Sequence, residues 1–221
     1  ILKYIISFKR QKRYLMLEKA DELKQSSEDL TKYARLYVNT ANEQYKEIYF
    51  HILAIRNGDV KKPVPYDSIY WQISEPIRSQ RHPLGVTSSL KSEMQKLPYA
   101  TYELAKLEES EFNSNELVEL EVDAFKSMDA LLKDDAGTHS TKEQALAVDL
   151  LTSQQYFNAK ENIMLPIDDF LHSLIDRTEE AVSTQNKLID SAFQRIFIFL
   201  LSGISVLIFT ASFINRRVLS P

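Results

Sequence analysis

Cysteine is absent, which excludes disulfides, cysteine-type zinc sites and a cysteine nucleophile. Glycine is scarce, with 4 copies in 221 residues. β-Sandwiches and doubly wound sheets need many tight turns, so this scarcity argues against both and favours long helices. No charge of one sign dominates: 27 Lys and Arg face 31 Asp and Glu, for a net charge of −4. That balance supplies no basic field of the kind that holds nucleic acid. The phosphate-binding and nucleophile motifs GxGxxG, Walker A and GxSxG are missing. The four histidines, His51, His82, His139 and His172, are scattered without an HxxxH spacing. A di-iron bundle needs paired Glu-x-x-His motifs. Asp169-x-x-His172 is the nearest approach, and it has no second copy. The expectation is a chain that is not an enzyme and uses neither a cofactor nor a metal.

What is present is one long apolar run. Residues Ile196 to Asn215 read IFIFLLSGISVLIFTASFIN, 20 positions without a charge, closed by Arg195 on one side and Arg216-Arg217 on the other. At 1.5 Å per residue such a helix spans roughly 30 Å, the thickness of a bilayer's hydrocarbon core. The paired arginines favour a cytoplasmic location for the C-terminal side. The residues before the span then lie outside the cytoplasm. The chain starts at Ile1 rather than Met, as expected for a fragment of a longer protein. Residues 1–8 (ILKYIISF) fit the end of a truncated first membrane helix, followed by the basic run Lys9, Arg10, Lys12 and Arg13, read as an interfacial anchor or a solvated face.

Helical periodicity organises most of the rest. Leu23, Leu30, Ala34, Tyr37 and Ala41 recur at three- to four-residue spacing and predict one helix over 10–41. Asn42 is placed to cap a second helix with Glu43 in its first turn, ending at Asn57-Gly58. Residues 57–98 hold five of the seven prolines and the one Trp. This stretch is expected to be an irregular insert with short helices at 66–73 and 88–97, of the kind that often forms a functional lid or cap. Residues 99–132 return to helical spacing, with Leu104, Leu107, Leu117, Leu120, Ala124, Met128 and Leu131 inward. Their acidic residues, Glu121 included, are expected on a solvated face. A loop centred on Gly137 follows. Thr141 is placed to cap a short helix with Gln144 in the capping-box position. Thr152 or Ser153 then starts a last helix that no stop signal interrupts before Arg216. Pro166 is expected to kink that helix. Its length, from 154 to 215, is on the order of 90 Å.

One set of residues suggests a pocket. Tyr45, Tyr49 and Arg56 lie at i, i+4 and i+11 on one face of the second helix. Arg35 lies on the first helix among core-adjacent positions, and Tyr70-Trp71 sits in the insert. Arginine grips carboxylate or phosphate through paired hydrogen bonds, and aromatic rings supply walls and hydroxyl donors. Arg35 and Arg56 are thus candidate anion anchors, with Tyr45, Tyr49, Tyr70 and Trp71 around them. Tyr156 and Asn158 on the last helix are placed to face the same pocket. The competing reading pairs both arginines with structural carboxylates and leaves the aromatics as bundle core.

The segment ADELKQSSEDLTKYARLYVNTANEQYKEIYFHILAIRNG at 20–58 resembles the helical sensor region upstream of the signalling parts of bacterial chemoreceptors, sensor histidine kinases and nucleotide cyclases. SSEDLTKYARLYV and YFHILAIRNG carry most of the likeness. YFNAKENIMLPIDDFLHSLIDRT at 156–178 is similar too, and together these cover about a third of the chain. Arg216-Arg217-Val218-Leu219-Ser220-Pro221 resembles the start of a HAMP linker. The resemblance implies a homodimer of helical bundles whose sensor part lies in the periplasm, anchored in the bacterial inner membrane. It also implies a small-molecule ligand, anionic ones included, or a periplasmic binding protein, and a cytoplasmic output module.

The expected fold is therefore all-α: an elongated, up-down, four-helix-bundle-like sensor domain over 9–195 with an insert at 57–98, continuing into a membrane helix at 196–215 and a linker start at 216–221. The expected function is ligand sensing across a membrane. The alternative is a membrane-anchored helical module for protein interaction or assembly, without a small-molecule ligand.

Overall fold

The computed structural model describes residues 2–133 and 140–218, and all regular structure among them is helical. Seven α-helices follow one another: α1 Leu2–Thr40, α2 Glu43–Asn57, α3 Glu75–Arg81, α4 Leu90–Gln95, α5 Thr101–Lys133, α6 Ser140–Thr152 and α7 Gln154–Val218. The all-α expectation holds. α1 takes in residues 2–8, whose side chains lie outside the described ones, as do the loop around Gly137 and the last three residues of the linker segment.

Local signals set most helix ends. α1 stops where Ala41 turns left-handed, with φ 55°. Asn42 then caps α2 by accepting from the Gln44 amide at 3.0 Å, and Glu43 in the first turn complements the helix dipole. At the other end Gly58 takes φ 79°, and the Asp59 amide donates to Ala54 O at 2.8 Å, a left-handed C-terminal cap that favours glycine. A Cβ on Gly58 would lie 2.4 Å from the backbone N of Ser89 and 2.8 Å from the carbonyl carbon of Ser88. Gly58→Ala is therefore expected to cost about 2 kcal/mol or more, since left-handed strain and a backbone clash combine. A lowered midpoint in urea denaturation, read through Trp71 fluorescence, checks it.

Three expectations for local structure change. The helix expected over 66–73 is only a 3-10 turn, Tyr70–Gln72, and an unforeseen helix, α3, forms just after it behind Pro76. Pro76 is one of the first helical residues, where its missing amide costs no bond. α6 starts at Ser140, so Thr141 lies inside the helix rather than before it. Gln144 Nε2 donates to the Val38 carbonyl on α1 at 3.2 Å, while the Thr141 side chain of the expected capping box lies outside the described residues. Ser89 and Ser153 do act as caps, accepting from the Ser92 and Tyr156 amides at 3.2 Å each.

The chain divides into two compact units, residues 1–173 and 174–221. In the first, α1 packs on α2, α4, α5 and α6, and α5 packs on α6. The start of α7 joins α5 through Ser110 Oγ donating to Ile163 O at 2.9 Å and Asn113 Nδ2 donating to Asn162 O at 2.7 Å. Leu23, Leu30 and Tyr37 of α1, Tyr49 and Ile52 of α2, Met94 of α4, Phe125 and Met128 of α5, and Tyr156 and Phe170 of α7 are fully buried. Each buried side chain of this size contributes roughly 1.5–3 kcal/mol. Phe125 sits edge-on to both Tyr37 and Tyr49, at 5.1 and 4.8 Å between ring centroids, an arrangement that adds to burial.

The insert closes on itself and on α1. Lys62 and Val64 pair their backbones with Gly85, Val86 and Pro83. Lys62 Nζ bonds Glu93 at 2.6 Å and Glu22 at 2.9 Å, while Lys19 bonds Glu93 at 2.7 Å. Burial opposes charge on Lys19, but its bonds to Glu22 and Glu93 outweigh that and raise its pKa. The phenol of Tyr33 on α1 donates to the Trp71 carbonyl at 3.0 Å.

Among the described residues of the second unit one stretch, Lys187–Ser212, is long and apolar enough to cross a membrane. None of it is buried: Phe193, Phe199, Leu207 and Phe209 all stand exposed. Exposed apolar surface on this scale is unfavourable in water and calls for a bilayer or an apolar partner.

Candidate functional site

Of the eight candidate residues, seven fall at an open groove or a buried polar network, and Asn158 stands apart from both. Tyr45, Tyr70 and Trp71 belong with the groove. It lies between α2 and the segment 71–78, encloses about 550 Å³, and is lined by Tyr33, Tyr45, Glu47, His51, Trp71 and Arg78, among others. Small-molecule sites run from about 300 to 1,000 Å³. From α2, Gln44, Glu47, Ile48 and His51 recur at three- to four-residue spacing and so present one face to it. The insert supplies the opposite wall. Trp71 is buried, its indole N–H donating to the Tyr66 hydroxyl at 3.0 Å. Tyr70 packs edge-on to Trp71 at 4.8 Å.

Arg78 dominates the groove, and the sequence reading missed it. Its guanidinium lies 4.7 Å from the Trp71 ring centroid and 5.3 Å from that of Tyr70. It takes part in no side-chain hydrogen bond or ion pair among the described residues. Stacking holds the plane of the fork, and its donors are left for something else. Its field reaches its neighbours. His51 is held below its ordinary pKa, first by burial and then by Arg78, so it is neutral at pH 7. Burial pushes the Tyr33 and Tyr70 phenols up, and Arg78 pulls against it. The available signal was positional: α3 follows Trp71 directly and brings its one inward arginine back over the ring.

Tyr49, Arg56 and Tyr156 belong to the second assembly, in the bundle interior. Its centre is Glu121 on α5, with 1% of its surface exposed. The Tyr49 hydroxyl donates to Glu121 Oε2 at 2.7 Å, and the Tyr156 hydroxyl donates to Oε1 at 2.5 Å. One carboxylate thus joins α2, α5 and α7. Arg56, with 5% exposed, donates to Ser114 Oγ at 2.7 Å and Asn115 Oδ1 at 2.9 Å. Burial raises the Glu121 pKa, while the two hydroxyls and the Arg56 charge hold it down in part. Burial and the nearby carboxylate push both phenols up, and burial pulls Arg56 down.

Glu121 was expected in solvent and is in the core. The reason is legible afterwards: Ser114, Leu117, Glu121, Ala124 and Met128 follow a three-four spacing, and all five are buried, which places Glu121 on the inward stripe. Arg35 touches the network from α1. Its guanidinium lies 5.0 Å from the Tyr156 ring and 5.2 Å from the Phe157 ring, and Nε donates to Leu151 O at 3.1 Å near the end of α6. A cation there offsets the helix dipole. Its Nη2 is buried without a hydrogen-bond partner. Asn158 is exposed and accepts from Gln154 at 2.8 Å.

A second cleft of about 510 Å³ lies between α1 and residues 62–68. Its lysines, Lys19 and Lys62, are already bonded to Glu22 and Glu93. The groove at Arg78 is the better candidate because its cation is uncommitted. Among the described residues no group of three or more His, Asp or Glu is arranged to hold a metal ion. Comparison with known proteins returns no matching family model, no similar curated protein and no similar solved structure.

Proposed function

We propose that this chain is the ligand-sensing part of a bacterial transmembrane receptor. Lys187–Ser212 anchors it in the inner membrane, residues before that stretch lie in the periplasm, and α7 passes the occupancy state to a cytoplasmic output module. The receptor works as a homodimer. The ligand is a small molecule held in the groove at Arg78. The observation that carries this reading is the double duty of α2. One stretch of it lines the groove through Tyr45, Glu47 and His51, and Tyr49 on the same stretch shares Glu121 with Tyr156 of α7. A ligand that prefers one position of α2 thereby biases the position of α7, which is a population shift between two states.

The test is a chimera of the full chain with a HAMP-linked kinase, reconstituted in nanodiscs. A groove ligand, detected through Trp71 fluorescence, is expected to change kinase activity. Tyr156→Phe, which removes one bond to Glu121, is expected to leave the ligand's Kd within about twofold and to reduce the activity change several-fold. Groove occupancy with unaltered kinase output in the parent chimera rejects the reading and favours a membrane-anchored assembly module.

A further inference from the structure

The sensor reading requires a ligand in the groove but is silent on its chemistry. The charged lining is Arg78, Glu47 and Glu75, one cation against two carboxylates. A simple anion would gain the guanidinium and meet two like charges. A simple cation would gain the carboxylates and ring faces but leave the guanidinium desolvated and unpaired. The cation and one of the two carboxylates are also held on different elements. Arg78 and Glu75 come from α3, and Glu75 is turned to Ser79, whose Oγ donates to it at 2.7 Å. Glu47 comes from α2, on the opposite wall, and no hydrogen bond or ion pair among the described residues occupies it. Tyr33 and Tyr45 line the same groove, with ring centroids 6.1 Å apart and planes tilted by 36°, and Lys32 Nζ already lies 5.0 Å from the Tyr33 ring centroid. A carboxylate without a partner on a wall that also carries an aromatic ring suits an ammonium group. A stacked arginine with open donors suits a carboxylate.

We propose that the groove binds a small zwitterion, its carboxylate on the Arg78 guanidinium and its ammonium group at Glu47 on the α2 wall. This rests on the reading of the groove as the ligand site. It requires both ends of the ligand at once, so either half alone binds weakly.

Trp71 is the single tryptophan of the chain and forms a groove wall, so its fluorescence reports occupancy directly. The full chain in nanodiscs is titrated with ω-amino carboxylates from β-alanine to 6-aminohexanoate, and with the matching acids and amines at constant ionic strength. At least one zwitterion is expected to bind tenfold or more tightly than its matched acid and amine. Arg78→Gln is expected to weaken that zwitterion at least tenfold, with Arg78→Lys between. Glu47→Gln is expected to weaken the zwitterion and spare the acid. Equal binding of an acid or an amine and its zwitterion overturns the proposal. So does silence of Trp71 across the series, or an unchanged affinity in Arg78→Gln. The two readings fail separately. A zwitterion that binds in this way without moving the chimera's output sinks the sensor and keeps the site. A different compound that drives the output while this series leaves Trp71 unmoved does the reverse.

Discussion

Glu121→Ala is expected to lower the stability of the first unit by about 3 kcal/mol or more. The substitution leaves the hydroxyls of Tyr49 and Tyr156 buried without an acceptor, at about 1–3 kcal/mol for each unsatisfied group. It also removes one of the two carboxylates, Glu111 being the other, that favour the charged form of Arg56, and removing one partner of a buried charge set is strongly destabilising. Glu121→Gln keeps one acceptor oxygen at nearly the same volume and is expected to cost roughly a third as much. Urea denaturation followed by Trp71 fluorescence measures both. The pH dependence separates charge from shape. Burial raises the native pKa of Glu121 above its ordinary 4.5, so between 4.5 and the native value the folded chain binds more protons than the unfolded one. The stability tied to this proton is fully present below 4.5 and is lost as pH rises through the native value. Glu121→Gln is expected to remove that slope. A slope that survives the substitution assigns it to other groups.

Arg56→Ala is the second large effect, expected at about 3–5 kcal/mol, the range for breaking a buried charged pairing and leaving a cavity. Ser114 and Asn115 lose their donor, and Glu121 loses the larger of the two positive charges, Lys160 being the other, that favour its ionised form. The Glu121 pKa then rises further, and the pH slope moves upward with it. Because the two residues share one network, the double variant is expected to cost at least 0.5 kcal/mol less than the sum of the two singles. Binding in the groove gives an independent check. Arg56 donates to Ser114 and Asn115 in the interior, whereas Arg78 lines the groove. Arg56→Ala is therefore expected to leave a groove ligand's Kd within about twofold under conditions where the variant stays folded. A tenfold loss instead returns Arg56 to the role of anion anchor.

The contrast between the two arginines shows how much of the site was legible in the sequence. The sequence marks Tyr45, Tyr70 and Trp71 as walls, and in the structure they line or adjoin one groove. Helical spacing places Tyr45, Tyr49 and Arg56 on one face, which groups Tyr49 and Arg56 with the walls, and Tyr156 joins them only as a residue of the last helix facing the same pocket. A face 40° wide still spans the boundary between interior and surface, and α2 crosses that boundary between Tyr45 and Tyr49. Spacing along one helix cannot say which neighbour covers it. Arg78 went unnoticed because its importance comes from the fold of the insert, where α3 brings it over Trp71. Glu121 was misplaced for a related reason. Acidic composition along α5 argues for solvent, and only phenols arriving from α2 and α7 make its burial tolerable.

The sequence by itself determined the helical class, the ends of α2 and the apolar stretch near the C-terminus. These depend on nearest neighbours along the chain: an Asn whose side chain caps the next turn, a Gly that accepts φ 79°, and a run of residues without charge. Tertiary structure decided that Glu121 meets two phenol donors in the core, that Arg56 is committed and that the Arg78 guanidinium has no side-chain hydrogen bond or ion pair among the described residues. Each of those facts depends on partners 35 to 72 residues away, or on their absence. A buried charge is stable only when groups from other elements converge on it, and a cation becomes a candidate binding group only when none do.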